Sequence, residues 1–114
     1  MDEVLRQTLL YDFYGELLTE HQQEVYETVV QNDLSYSEAA QMFGISRQGV
    51  HELVKRSEKI LEEYESKLHL VERFLKIRET VQQIQHLSSH CEMIDNEILA
   101  RQVSELSSRI LEEL

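Results

Sequence analysis

The stretch SYSEAAQMFGISRQGVHELVKRSEK, residues 35 to 59, decides the fold. Ser35 stands three residues before Glu38. That spacing is a capping box, and it predicts a helix that starts at about Tyr36. Ala39 and Ala40 are small, as the close crossing of two helices requires. Gly44 can take the left-handed conformation that ends the first helix. Ile45 is apolar and can bury beneath the turn, and Ser46 can cap a second helix. Val50 and Leu53 then face back toward Ala40. Ala40, Gly44, Val50 and Leu53 fall at spacings of four, six and three. Each position answers a different steric demand of a helix-turn-helix.

On a helical wheel the second helix separates into two faces. Arg47, Gln48, His51, Glu52, Lys55, Arg56 and Lys59 share one arc of roughly 180°. Val50, Leu53, Val54, Ser57, Ile60 and Leu61 occupy most of the other. A recognition helix needs this division. Its N-terminal side chains meet base edges in the major groove, and its later basic residues meet phosphates. Arg47 and Gln48 suit guanine and adenine edges, and His51 can donate to either. Lys55, Arg56 and Lys59 suit the phosphate backbone. Glu52 repels phosphate but can accept from a cytosine amine. The candidate nucleic-acid-binding set is therefore Arg47, Gln48, His51, Lys55, Arg56 and Lys59. A solvated face on an ordinary helix, or a helix-turn-helix used for protein contact, would show the same residue pattern. Gly49 costs about 1 kcal/mol of helix propensity against alanine. The sequence leaves open whether it admits a DNA backbone or the first helix.

Working outward, the composition sets bounds. The chain has 114 residues and no proline, and its only glycines are Gly15, Gly44 and Gly49. That predicts an all-α chain of one domain, or one small domain with an extension. The expected division is a helix-turn-helix domain at residues 1–65 and a helical extension at 66–114. The net charge is −11, which argues against indiscriminate nucleic-acid binding. Its distribution is uneven. Residues 1–44 carry one basic and nine acidic side chains, whereas residues 45–80 carry eight basic and seven acidic ones. The less acidic third thus begins at the second helix of the motif. The N-terminus, MDEVLRQT, is acidic and has no long apolar run, so neither a signal peptide nor a membrane span is expected. One cysteine, Cys91, excludes an internal disulfide and fits a reducing cytoplasm.

Before the motif, Leu5, Leu9 and Phe13 recur at helical spacing, with Tyr11 and Tyr14 as core-packing aromatics around a bend at Gly15. Thr19 with Gln22 forms a second capping box, which predicts a helix from about Glu20 to Gln31. Glu20, Glu24 and Glu27 form its wet face rather than a metal or catalytic cluster. After the motif, Val50, Val54, Ser57, Leu61, Tyr64, Leu68, Val71 and Leu75 repeat at alternating spacings of four and three, a heptad seam. A second seam runs through Leu70, Phe74, Ile77, Val81 and Ile84. Either one long helix changes partner between Leu68 and Phe74, or two helices meet there. Leu99, Val103, Leu106 and Ile110 repeat in the same way, so segments 68–88 and 92–112 can form a helical hairpin. Such a hairpin is most simply a dimerisation arm, which makes the expected assembly a homodimer. Packing of the hairpin back on the N-terminal domain is the competing reading.

His86, His90 and Cys91 lack the three or four convergent ligands that a metal site needs. No glycine-rich phosphate loop and no serine-nucleophile motif is present. The expectation is a non-enzymatic protein with no catalytic residues, no metal and no cofactor.

Two resemblances rest on these residues. The run LTEHQQEVYETVV from Leu18, followed by SYSEAAQMFGISRQGVHELVKRSEKIL, is similar to region 4 of bacterial sigma factors. That region has a leading helix and a helix-turn-helix that reads a promoter element and touches polymerase. The closer resemblance is to the YlxM family of small helix-turn-helix proteins of Gram-positive bacteria. It is carried by DFYGELLTEHQ at 12–22, by GISRQGVHELVKRSEKILEEYESKLHL at 44–70 and by the acidic N-terminal half. The resemblance implies an all-α, sigma region 4-like bundle of the winged-helix-like superfamily with a C-terminal helical extension, in a cytoplasmic protein. Genes of that family typically lie beside those of the signal recognition particle GTPases. It therefore implies a regulatory role in that protein-targeting pathway. The function expected is a DNA-binding regulator. The alternative is a protein- or ribonucleoprotein-docking module of the signal recognition particle pathway that does not read DNA.

Overall fold

A computed structural model describes residues 3–114; the first two residues of the acidic N-terminus lie outside the described residues. The elements in order are α1 (Glu3–Tyr14), α2 (Glu20–Tyr26), α3 (Tyr36–Phe43), α4 (Arg47–Leu68), α5 (Leu70–Ser89) and α6 (Asn96–Glu113). Short 3-10 turns at Gly15–Leu17 and Cys91–Met93 and a π-helical turn at Glu27–Gln31 join them. No strand occurs among the described residues, and the fold is all-α. The chain divides into two compact units, Met1–His69 and Leu70–Leu114.

The first unit is built by local signals that are legible in the chain. The Thr19 hydroxyl accepts from the Gln22 backbone N–H at 3.2 Å, and the Gln22 side chain accepts from the Thr19 N–H at 2.9 Å. The same reciprocal pair closes between Ser35 and Glu38. Both boxes satisfy N–H groups that a helix start leaves without intrahelical partners. The helix expected from Glu20 to Gln31 keeps that span, but its last turn widens into the π-helical form. The Thr28 hydroxyl bonds back to the Glu24 carbonyl at 2.8 Å, and the Asn32 N–H reaches Glu27 at 2.9 Å. The consecutive residues Val29 and Val30 of this turn both pack on the core.

Gly44 ends α3 with φ 68 and ψ 32, the left-handed conformation. A Cβ built there meets nothing within 4 Å, so the demand comes from the backbone alone. Gly44→Ala is expected to cost about 1 kcal/mol, and Gly44→Asn less, in urea unfolding midpoints.

The core of this unit packs α2 and α3 against α4. Val25, Ala39 and Val50 are fully buried, with Ala40 and Val54 beside them. Ile45 seals the turn, as its place in the motif requires. The first heptad seam is used inside the unit. Val50, Val54, Ser57 and Leu61 are buried against α1 to α3, and Tyr64 stacks on Tyr14 with ring centroids 6.0 Å apart. Ser57 remains satisfied in that core because its hydroxyl donates to the Leu53 carbonyl at 2.8 Å.

Charge also ties α1 to α4. Arg6 is the sole basic residue of the first 44. It forms a two-pronged pair with the Glu62 carboxylate, which raises its pKa further. The Tyr14 hydroxyl donates to Glu65 at 2.6 Å within the core. Tyr11 stacks on Tyr26 with centroids 5.1 Å apart and donates to Glu27.

Burial, and then the charge of Glu58, pushes the Tyr26 phenol from 10.0 up to about 12. Burial and Glu27 push Tyr11 up as well. A phenol whose folded pKa is raised stabilises the fold fully below its ordinary value and loses that contribution as pH rises through the folded one. Stability is therefore expected to fall between pH 10.0 and about 12. Denaturant midpoints measured across that window check this, and Tyr26→Phe should flatten the fall.

The uninterrupted helical pattern from residue 50 to 88 resolves into two helices. His69 takes φ 57 and ψ 28 and ends α4, its N–H reaching the Glu65 carbonyl. No glycine or proline announces this break. A non-glycine residue adopts it at a cost of about 1 kcal/mol. In the second unit α5 and α6 pack as an antiparallel hairpin. Arg109 reaches Gln83 at 3.4 Å, and Lys76 lies 3.8 Å from Glu113. Asp95 caps α6 by accepting from Glu97 at 2.8 Å.

Candidate nucleic-acid interface

Ser46 fixes the start of α4, its hydroxyl accepting from the Gly49 N–H at 2.9 Å. The first turn of this 22-residue helix holds no acidic side chain. Its unpaired N–H groups and aligned peptide dipoles leave partial positive charge there. The two-faced wheel holds. Arg47, Gln48, Glu52, Lys55, Arg56 and Lys59 are exposed, while Val50, Val54, Ser57 and Leu61 are buried on the opposite side.

The structure separates the six candidate residues by what they touch. Among the described residues, Arg47, Arg56 and Lys59 form no ion pair. Gln48 donates its amide to Glu52 at 3.3 Å, so one acid of the face is engaged with a neighbour one turn on. Lys55 lies 3.5 Å from Glu58 in an exposed pair, which is worth little in water. His51 is half-buried, its ring edge-on to Tyr36 with centroids 5.4 Å apart. Tyr36 thus sets the ring orientation of His51. Lys55 and Lys59 border a cavity of about 280 Å³ whose other walls include Glu3, Glu58 and Glu62. The basic face therefore grades into acid toward α1.

Two of these contacts differ in legibility. Lys55 and Glu58 stand three apart, a pairing distance on any helix. Tyr36 and His51 stand fifteen apart, and only the geometry of the turn brings them together.

Gly49 is settled by its neighbours. A Cβ there would stand 3.2 Å from the Ser46 hydroxyl and 3.9 Å from Ile45, so its nearest neighbours lie in the turn rather than on α3. The first helix therefore does not require this glycine. Glu38 occupies the same place under the Ser35 cap and carries a Cβ. Gly49→Ala is accordingly expected to fold and to gain up to about 1 kcal/mol in thermal or urea unfolding.

Elsewhere, the His86 and His90 rings lie with centroids 4.3 Å apart, and His90 Nδ1 is 2.8 Å from the His86 carbonyl. No group of three or more potential metal ligands assembles among the described residues. No described helix is long and apolar enough to cross a membrane.

Two capping signals, a left-handed glycine and a two-faced second helix define a helix-turn-helix protein. The chain belongs to the UPF0122 family, whose description is "Putative helix-turn-helix protein, YlxM / p13 like" and whose model matches residues 1–101. The chain is 46% identical over 83 residues to the UPF0122 protein of Caldanaerobacter subterraneus subsp. tengcongensis, covering 73% of this chain and 71% of the relative. It is 44% identical over 84 residues to that of Halalkalibacterium halodurans, covering 74% and 77%. With the UPF0122 protein of Acetivibrio thermocellus it shares 35% identity over 116 aligned residues, covering 98% of this chain and 99% of the relative.

Proposed function

We propose that this chain is a DNA-binding regulatory protein of the cytoplasm that works as a homodimer and needs no cofactor. The observation that carries this reading is the exposed face of α4. It groups basic and amide side chains on one side of a helix whose other side is buried in a helix-turn-helix core. Arg47 and Gln48, at the N-terminal turn, would meet base edges. His51, oriented by Tyr36, would sit beside them, and Lys55, Arg56 and Lys59 would meet phosphates. Residues 1–65 would form the reading domain and residues 66–114 the dimerising extension. Two copies would place their α4 helices about 34 Å apart, the spacing of successive major grooves.

The test is fluorescence anisotropy with promoter fragments from the gene's own operon against scrambled sequence, at low salt. Preferred binding is expected, with log affinity falling against log salt at a slope of about −3 if Lys55, Arg56 and Lys59 each neutralise one phosphate. Equal binding to both fragments would remove the sequence-reading role.

A second reading is favoured by the charge distribution. Nine acidic and one basic side chain in residues 1–44 suit a basic protein better than a nucleic acid. In this version the acidic half docks a protein or ribonucleoprotein component of the signal recognition particle pathway. Recovery of such components with the tagged full chain after nuclease treatment would favour this reading. Loss of all of them would count against it.

A further inference from the structure

We infer that the α5–α6 hairpin docks a second copy of itself through one uncharged face, closing a four-helix bundle in which α5 of one copy packs against α6 of the other. This inference assigns a surface to the homodimer read above and rests on that reading.

The hairpin buries little by itself. From Phe74 onward only Thr80, Leu87 and Leu106 are buried, although the two helices run to 20 and 18 residues. On α5, Ile77, Thr80, Val81, Ile84 and Leu87 lie within an arc of roughly 120°. On α6, Leu99, Val103, Leu106, Ile110 and Leu111 lie within a similar arc of roughly 140°. On each helix the buried residues sit at the low-angle edge of its arc, and the more exposed ones follow at higher angles. Val81 and Val103 are each 41% exposed, and Leu111 is 70% exposed. Antiparallel packing reverses the sense of rotation between neighbours. Both exposed edges therefore emerge on the same side of the hairpin, as one apolar strip.

Three features commit that strip to a second copy. Past Arg73 the α5 arc contains no charged side chain, and the one charge at the border of the α6 arc, Glu113, stands 3.8 Å from Lys76. An acidic chain can approach itself there without juxtaposing like charges. The four-and-three spacing on both helices is that of left-handed helix bundles, in which each strip offers the holes the other's side chains fill. The helices also differ in sign. α5 carries three basic and two acidic side chains, and α6 carries two basic and four acidic ones. A two-fold arrangement that sets α5 against α6 of the partner copy is self-complementary.

The experiment uses the full chain in sedimentation equilibrium. Wild type is expected at twice 13.5 kDa. Val81→Glu and Leu111→Lys, which the register of Lys76 beside Glu113 and Arg109 beside Gln83 sets at one level, are each expected at the single mass with helical circular dichroism retained. An equimolar mixture of the two variants is expected to return to the double mass, because the new charges then face each other across the interface. Val81→Ser gives a second readout if glutamate unfolds the hairpin. It should weaken self-association by at least about tenfold, since both copies lose the same contact. A monomeric wild type overturns the inference and the dimer together. A dimer indifferent to all three substitutions, or a mixture that stays monomeric, overturns this face alone. DNA binding through Arg47 is read separately by anisotropy and can fail or stand without either result.

Discussion

Tyr14→Ala is expected to remove about 3–5 kcal/mol of stability, the usual cost of deleting a large buried aromatic side chain. Tyr14 is 1% exposed, stacks on Tyr64 and donates its hydroxyl to Glu65 at 2.6 Å. It pins α1 to the C-terminal half of α4. A domain of ordinary stability has about 5–15 kcal/mol in total, so this one change would leave a marginal fold. Tyr14→Phe separates the two contributions. It keeps the ring and withdraws one donor from a buried carboxylate, at a cost of about 1–3 kcal/mol. Urea unfolding followed by circular dichroism distinguishes them. Equal midpoints for Tyr14→Phe and wild type would mean the hydroxyl contributes nothing.

The second large effect is expected at Arg47. Its guanidinium is exposed on the first turn of α4 and forms no ion pair among the described residues. Arg47→Ala should weaken binding to a preferred site by about 1–3 kcal/mol and relax the preference, because a two-pronged arginine–guanine contact discriminates among bases. Lys55→Ala should act differently. It should weaken all sequences alike and reduce the salt slope by about 1. Its loss should also be smaller than for a lysine without a neighbouring acid, because Glu58 stands 3.5 Å away. Anisotropy titrations at several salt concentrations separate the two patterns. Both variants should retain wild-type unfolding midpoints, since neither side chain packs in the core.

Much of this arrangement was legible because its determinants are local. Ser35 with Glu38, Thr19 with Gln22, Gly44 and Ser46 each act within one turn of the chain, and all appear in the structure as read. The two faces of α4 follow from helical spacing alone. What was not legible depends on distant partners or on backbone energetics without a marker residue. His69 breaks the long helix with a left-handed conformation that no glycine signals. The π-helical turn at Glu27–Gln31 has no marker residue either. Glu65 stands beside the apolar seam, next to Tyr64, and is buried, which its residue type does not suggest; its tyrosine donor lies 51 residues away. Of the seam that starts at Val50, the residues Val50, Val54, Ser57 and Leu61 are buried inside the first unit. At the candidate site, residue types were legible. The approach of Glu3 on α1 to Lys55 and Lys59 was not, because it lies more than fifty residues away in the chain.

The proposed contact of DNA with the exposed face of α4 is tested most directly by titrating the full, isotopically labelled chain with promoter DNA and following its backbone amide resonances. The first and largest shifts are expected between Ser46 and Lys59, strongest at Arg47 and Gln48, with α2 and α6 little changed. Shifts confined to the acidic α1–α2 surface or to the hairpin, or no shifts at low salt, would contradict it.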